Sequence, residues 1–349
     1  MLRMVFFAAG LLFVFSCLGG ISTAQATELT FVDYDTPSSL SGFIGTAIKE
    51  EIEKHTDGDV TVKIFWGTSL LKGPESLEGV QDGVIDMGII NPNYYPNKLP
   101  MNGVYAVFPQ GPSSYESLAW LYKVIFDRVP ELKQELLNND QVPLLAFSVM
   151  PKTVASTKPI ASIADFKGKK MRAANRWALS QLEAAGAIPV SVPWSDCYMA
   201  LETGTVDAVY TNHDSVHAAK LDEVGQHVFL LPQLWSGTKF MITINKDRWD
   251  SFSPETREQI MAAMDVVSER YGKEFEKKWQ DVVDEMVEMG YTVNQATMEE
   301  IEEFVNLPAM AEIQEVWIAE REKEGVKDAR AIFDKVKATI EEALAREKD

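Results

Sequence analysis

The sequence predicts an α/β protein with a partly parallel sheet, and three observations carry the prediction. Strand-like and helix-like segments alternate from residue 28 to residue 245, a helix–glycine–strand unit occurs twice, and from Pro254 onward the chain reads as almost wholly helical. With 349 residues, 46% apolar and 24% charged, the chain is long enough for two cores. No stretch has the composition of disorder.

The first 26 residues stand apart. Arg3 is the only charge before Glu28, Val5 to Leu18 is nearly continuous apolar sequence, and Ala24-Gln25-Ala26 supplies a small–x–small step. Charge, apolar run and small residues make a secretory signal cleaved after Ala26, which places the mature chain in the periplasm. A retained anchor helix and a lipoprotein attachment at Cys17, within Val14-Phe15-Ser16-Cys17, are the alternatives. No later segment reads as membrane-spanning.

The elements follow in order. Glu28–Asp33 is a strand, and Ser39–His55 is a helix whose Ile44, Ile48 and Ile52 recur at four-residue spacing. Val60–Phe65 alternates as a strand, Pro74 opens a short helix through Val80, and Ile85–Ile90 is the next strand. Helices at Ser114–Asp127 and Glu131–Asn138 precede a strand at Val142–Val149. A second run places strands at Lys169–Arg172, Ile188–Val192 and Val206–Tyr210, with helices at Trp177–Ala185 and Ser195–Thr203 between them. Gly237–Asn245 is a long strand. Pro254–Met289 is one long helix or two joined near Gly272, and Glu300–Asp349 holds two or three more with solvated charged faces.

The two helix–glycine–strand units are Glu75–Gly83 leading into Val84-Ile85-Asp86-Met87-Gly88, and Trp194–Gly204 leading into Thr205-Val206-Asp207-Ala208-Val209. Each has a glycine suited to a left-handed cap, then an Ile/Val–Asp step and a buried strand. Ligands of open α/β sheets sit beyond the carboxyl ends of strands. Those ends are Asn91 and Asn93 in the first unit and Thr211 and Asn212 in the second. The plainer reading is that any two such units look alike.

The net charge of −19 disfavours nucleic acid and anionic lipid as partners. It leaves a small anion possible, because distant acids are screened beyond about 8 Å. Removal of the leader leaves one cysteine, Cys197, so no internal disulfide forms, and its apolar helical setting suits packing. No nucleophile elbow, dinucleotide fingerprint, phosphate loop or Cys-x-x-Cys occurs. His213 and His217 stand four apart as a metal pair would, but without the following glutamate; Asp214 or Ser215 suits a helix cap. Asp33-Tyr34-Asp35 offers carboxylates without singling out an acid and a base. No catalytic residue, metal or cofactor is expected.

The informative segment runs from Lys152 to Asn212. Lys152, Arg172 and Arg176 lie among Asn175, Trp177 and Trp194, and Arg172 ends a short strand. A guanidinium matches a carboxylate in planar, bidentate fashion. The alternative for Arg172 is a surface ion pair with one of the many acids.

Ile160-Ala161-Ser162-Ile163-Ala164-Asp165-Phe166-Lys167-Gly168-Lys169-Lys170-Met171-Arg172 resembles a stretch of the DctP-type solute-binding proteins of TRAP transporters. The resemblance continues through Gly186–Val190, Pro193–Gly204 and Val206-Asp207, and upstream through Leu77–Gly88. It implies a two-domain periplasmic binding protein fold of type II-like form, with hinge strands and a long helix spanning the domains. The expected division is 27–149 plus about 237–275 for domain I, and 150–236 plus about 276–349 for domain II. It also implies an interdomain cleft that closes on a small organic acid, with delivery to the membrane subunits of a TRAP-type transporter. Arg172 falls on the family's carboxylate-gripping arginine, and Lys152 near the place of a second cation. Asp207-Ala208-Val209-Tyr210-Thr211-Asn212 departs from the family's Asp-Gly-x-x-Asn-Pro, leaving the polar partner open between Thr211 and Asn212. Trp194 sits where the family places an aromatic lining residue. Tyr34, Asn91, Trp177 and Trp235 complete the candidate ligand residues, taken from strand ends and loops. An exported enzyme acting on a carboxylate and a ligand-presenting module for a membrane sensor are the alternatives. Whether the acid is mono- or dicarboxylate, aromatic or aliphatic, and the oligomeric state, are not readable from the chain.

Overall fold

The computed structural model describes residues 26–235 and 237–347. The expected signal segment and the Cys17 alternative therefore lie outside the described residues, apart from Ala26.

Two sheets organise the molecule. The first is built mostly from the N-terminal half: β1 (Thr27–Asp33), α1 (Leu40–His55), β2 (Val60–Trp66), α2 (Ser76–Gln81), β3 (Met87–Ile90), α3 (Tyr115–Arg128), α4 (Pro130–Leu137) and β4 (Gln141–Phe147). The second begins at β5 (Lys152–Ser156) and continues through β6 (Lys170–Ala173), α5 (Arg176–Ala184), β7 (Ile188–Ser191), α6 (Cys197–Glu202), β8 (Ala208–Asn212), α7 (His213–Ala218), α8 (Leu221–Val224) and β9 (His227–Leu231). The chain then returns to the first sheet as β10 (Phe240–Asn245) and α9 (Lys246–Ser251). It crosses back along α10 (Pro254–Glu288) to β11 (Thr292–Gln295), and ends in α11 (Met298–Val305), α12 (Pro308–Lys323) and α13 (Ala329–Arg346).

The sheet orders are β2-β1-β3-β10-β4 and β11-β9-β5-β8-β6-β7. β1 runs parallel to β2 and β3, while β10 is antiparallel to β3 and β4. In the second sheet β6 is parallel to β7 and β8, and β5 is antiparallel to β8 and β9. The mixed α/β class agrees with the expectation. β5, β9 and β11 are strands that periodicity does not single out. β5 is buried along its whole length, so it shows no alternation of apolar and polar residues.

Local chemistry accounts for the boundaries. Ser39, Ser114 and Asn175 accept hydrogen bonds from first-turn N–H groups as N-caps of α1, α3 and α5. β10 starts at Phe240 rather than at the expected Gly237, because Gly237 adopts φ +57°. A Cβ there would lie 3.0 Å from the Tyr105 carbonyl oxygen. α10 is one helix of 35 residues, about 52 Å long at 1.5 Å per residue. Gly272 in its middle gives room to a packed ring: a Cβ there would lie 2.5 Å from Cδ1 of Tyr115.

Three passages join the lobes: β4 to β5, β9 to β10, and α10. α10 packs on α1, α3 and β4 in one lobe and on α7 and β11 in the other. Tyr271 of α10 donates to the Ser148 carbonyl in the first passage, at 2.9 Å. The C-terminal helices bridge the lobes as well. α12 packs against α5, whereas α13 lies on α3, with Phe333 stacked on Phe108 at 5.0 Å. The segment 276–349, expected with the second lobe, thus touches both. Among the described residues no helix is long and apolar enough to cross a membrane.

Candidate functional site

The repeated unit seen in the sequence is matched bond for bond, and it sets the sheet ends that build the site. In the first lobe Asp82, Gly83 and Ile85 donate to the carbonyls of Glu78, Val80 and Gly79; in the second Thr203, Gly204 and Val206 donate to those of Met199, Leu201 and Ala200. Gly83 and Gly204 take φ +69° and +70°, the left-handed closure that favours glycine. The aspartate that follows then pins the neighbouring parallel strand. Asp86 accepts from the Thr30 N–H at 2.8 Å, and Asp207 from the Lys170 N–H at 2.9 Å. In register, Val32 of β1 faces Gly88, and Arg172 of β6 faces Val209. The arginine occupies the place where the first lobe holds a core valine.

Arg172 is 4% exposed. Its Nε donates to the Val192 carbonyl at 2.9 Å, and its guanidinium lies 5.6 Å from the centre of the Trp194 ring. Among the described residues no acid forms an ion pair with it, and its terminal nitrogens have no acceptor. The surface ion pair that was the alternative reading is absent there. Burial lowers its pKa, with Cys197 and Tyr94 opposing. A buried cation without a counter-charge is costly unless an anion arrives.

Lys152 opens β5 and is also buried. Its Nζ donates to Oδ1 of Asn212 at 3.0 Å and lies 5.2 Å from the Tyr210 ring centre. Desolvation, then the Arg172 charge, pushes its pKa down to about 7, with Asp214 opposing. Antiparallel pairing of β5 with β8 sets Lys152 opposite Asn212 and Thr153 opposite Thr211. Asn212 is therefore the residue engaged with the lysine, and Thr211 is buried beside it. Asp214, just beyond β8, has one carboxylate oxygen with no hydrogen-bond partner among the described residues. Burial, then Asp35 of the other lobe, raises its pKa to about 7.

The first lobe contributes the ends of β1 and β3. The Tyr34 hydroxyl has no partner among the described residues, and its ring meets that of Tyr94 edge-on at 6.2 Å. Burial raises the Tyr34 pKa well above its ordinary value. Asp35 has a partly exposed side chain, yet desolvation raises its pKa to about 6. Tyr94 packs edge-on against Tyr34, and burial raises its pKa, with Arg172 of the second lobe opposing and Asp35 of the first adding to the rise. Asn91 caps the short turn Pro92–Tyr94 by accepting from the Asn93 N–H, so it positions Tyr94. Asp33 points elsewhere. Its carboxyl is fully buried, takes the Asp35 N–H and has a pKa raised to about 8, chiefly by burial.

Arg172, Lys152, Trp194, Thr211 and Asn212 thus lie together at strand ends of the second sheet, and Tyr34 and Asn91 at strand ends of the first. Trp235 and Trp177 belong to the core. Trp235 donates to the Phe108 carbonyl at 2.6 Å and presses on Gly111, and Trp177 is buried with Arg176 stacked on it at 3.9 Å. Tyr94 and Asp214 were not among the residues expected at the site. The strand-end rule, carried one residue past Asn93 and two past Asn212, would have found both. His217 pairs with Asp222 at 2.8 Å and His213 is fully buried. Among the described residues no group of three His, Cys, Asp or Glu side chains is placed to hold a metal.

Comparison with known proteins agrees with this architecture. The model of the family described as bacterial extracellular solute-binding protein, family 7 (DctP) matches residues 36–318. A solute-binding protein of Roseobacter denitrificans, RD1_1052, is 29% identical over 247 residues, covering 69% of this chain and 74% of its own. The 2,3-diketo-L-gulonate-binding periplasmic protein YiaO of Escherichia coli is 25% identical over 276 residues, covering 78% and 82%. Among solved structures, a marine metagenome TRAP solute-binding protein specific for aromatic acid ligands, in complex with 3-hydroxybenzoate, superposes with a TM-score of 0.79 at 22% identity. That superposition covers 91% of this chain and 99% of the other.

Proposed function

Because the chain belongs to the bacterial extracellular solute-binding proteins of family 7, we propose that it takes up a small organic acid between its two lobes. We propose further that it delivers the acid to the membrane subunits of a TRAP-type secondary transporter. One observation carries the reading: Arg172 is a buried guanidinium at a strand end, with no acid among the described residues paired to it. A ligand carboxylate supplies that charge and can accept from both terminal nitrogens, each such bond being worth roughly 1.5–3 kcal/mol. Trp194 walls one side of the guanidinium, and Lys152 with Asn212 adds a second donor centre. Tyr34 and Tyr94 close the groove from the other lobe. The relatives' printed ligands, a sugar acid and a hydroxybenzoate, support the carboxylate class.

In this reading the lobes hinge about the two strand passages and α10, and closure excludes water and strengthens the arginine's hold. The family acts outside the cytoplasm. Residues 1–26 serve as the export signal, and β1 begins at Thr27, directly after the proposed cleavage point. Nothing in either sheet is lost on cleavage.

A thermal-shift screen of organic acids tests the proposal. Arg172→Met keeps much of the volume and removes the fork. It should abolish the stabilisation given by any hit, and an undiminished shift would reject Arg172 as the anchor.

A further inference from the structure

We infer that Arg176 and Gln181 are positioning residues for Arg172: they tie α5 to the first lobe, so that the anchoring arginine stands beside the fixed side of the hinge. The inference takes Arg172 as the anchor from the carboxylate reading, while the ties themselves do not depend on it. Only Ala173-Ala174-Asn175 separates Arg172 from α5, and Asn175 caps the helix by accepting from the Ala178 N–H at 3.0 Å. So short and capped a link couples the arginine closely to the helix. The helix in turn is held to the first lobe at two points. Gln181, 4% exposed, donates from Nε2 to the Ala106 carbonyl at 3.1 Å, in the helical turn Asn102–Val107. Arg176 makes a two-pronged ion pair with Glu320 of α12, one prong at 2.8 Å. α12 is itself fixed to the first lobe. Its Trp317 is 1% exposed, donates to the Pro100 carbonyl at 3.3 Å and packs on Phe333, which stacks on Phe108. Arg176, read from the sequence as a cation among candidate ligand residues, is thus engaged by the protein.

The seam beneath the two ties is apolar. Trp177, Ala178 and Leu182 of α5 belong to one buried cluster with Val104, Tyr105 and Val107 of the first lobe. Apolar burial is non-directional, so it holds two surfaces together without fixing how one slides on the other. Directional bonds fix that. The two ties stand five residues apart, about 7.5 Å along the helix axis, and so set both the position and the tilt of α5. They differ in weight. The Gln181 bond is buried, and removing its donor deprives a buried carbonyl of that partner. The Arg176 and Glu320 side chains are 51% and 32% exposed, so their attraction is screened and smaller. In this arrangement the seam stays closed while the cleft opens, and Arg172, next to the seam, keeps its place relative to the first lobe before any ligand arrives.

The test needs no ligand. Gln181→Leu, Arg176→Gln, Glu320→Gln and the double variant of the ion pair are compared with the unmodified mature chain. Two rates are mapped by mass spectrometry: amide hydrogen exchange, and modification of each arginine by phenylglyoxal. Breaking a tie should speed exchange in α5 and in the facing residues 102–108 together. The expected factor is about fivefold or more for Gln181→Leu and about two- to fivefold for either ion-pair variant. The double variant should add nothing to the single ones, because both remove the same bond. Arg172 is 4% exposed, so a shift of α5 that carries it from its place uncovers it, and its modification should quicken by the same factor. Amides of β1 and β3 should hold their rates, as should the buried Arg321 in Gln181→Leu. A residue whose variants leave both readouts at parental values loses its assignment. Faster exchange at the seam with unchanged Arg172 modification overturns the positioning role. Uniform acceleration that includes β1, β3 and Arg321 overturns it too, since that is loss of global stability. The carboxylate reading fails separately, in the acid screen, if no acid binds in an Arg172-dependent way.

Discussion

Replacing Lys152 with methionine should make the unliganded protein more stable at pH 6.5. Lys152 is buried, and its pKa falls from 10.5 to about 7, chiefly through desolvation. In the unfolded chain the amine keeps its proton up to about pH 10.4. Between pH 7 and 10 the unfolded state therefore binds more protons than the folded one, and stability rises with pH across that window. Below about pH 7 the whole penalty is present. At roughly 1.4 kcal/mol per pH unit, the fall in pKa corresponds to about 5 kcal/mol. Methionine removes this cost. It also removes the bond to Asn212 and the contact with Tyr210, which together give back roughly 2–4 kcal/mol. The expected net gain is about 1–3 kcal/mol, or several degrees in melting temperature. The anion ligand reverses the sign, because it favours the protonated amine. Affinity of the unmodified protein should rise as pH is lowered from 9 to 7, and Lys152→Met should take up as much as one proton fewer on binding. Asp214, raised to about 7, and Asp35, raised to about 6, also gain protons on acidification and account for any slope that remains. Scanning fluorimetry from pH 6 to 9 and calorimetry in two buffers of different ionisation enthalpy measure both quantities. A methionine variant less stable than the parent at pH 6.5, with unchanged proton uptake, would refute the reasoning.

The two strand-pinning aspartates should differ in weight. Asp86 accepts from the Thr30 N–H and hydroxyl and from Nε of Arg248 at 2.6 Å, whereas Asp207 takes one close backbone bond and a looser ion pair with Lys158 at 3.7 Å. Asp86→Ala is expected to cost about 2–4 kcal/mol and Asp207→Ala about 1 kcal/mol in urea unfolding. Gly111→Ala should be among the most damaging small changes. Its Cβ would fall 2.1 Å from Cδ2 of the core residue Trp235, so overpacking of about 3 kcal/mol or more is expected in the same assay.

Much of the molecule was legible because local rules decide it. Ser39, Ser114 and Gly204 end or begin elements through their own side chains or their lack of one, so boundaries near them were readable from spacing alone. The same holds for the repeated helix–glycine–strand unit and for the strand that ends at Arg172. β5, β9 and β11 were not legible. β5 and β9 are buried and show no alternation, β11 is a four-residue edge strand that is only partly buried, and all three depend on partners more than 50 residues away, such as Ser156 opposite Ala208. Trp177 and Trp235 were indistinguishable in sequence from Trp194. A tryptophan's role depends on which face of a lobe it meets, and two of the three meet the core.

The chain by itself determined the α/β class, the family pattern and the arginine at a strand end, and it led to the expectation of an export signal. Only the tertiary structure decided that this arginine is buried, with no acid among the described residues paired to it. The physical reason is range. Capping, periodicity and left-handed glycines act over a few residues, whereas unanswered charge in a cleft is a property of every group that fails to come near, and only folding settles which groups those are.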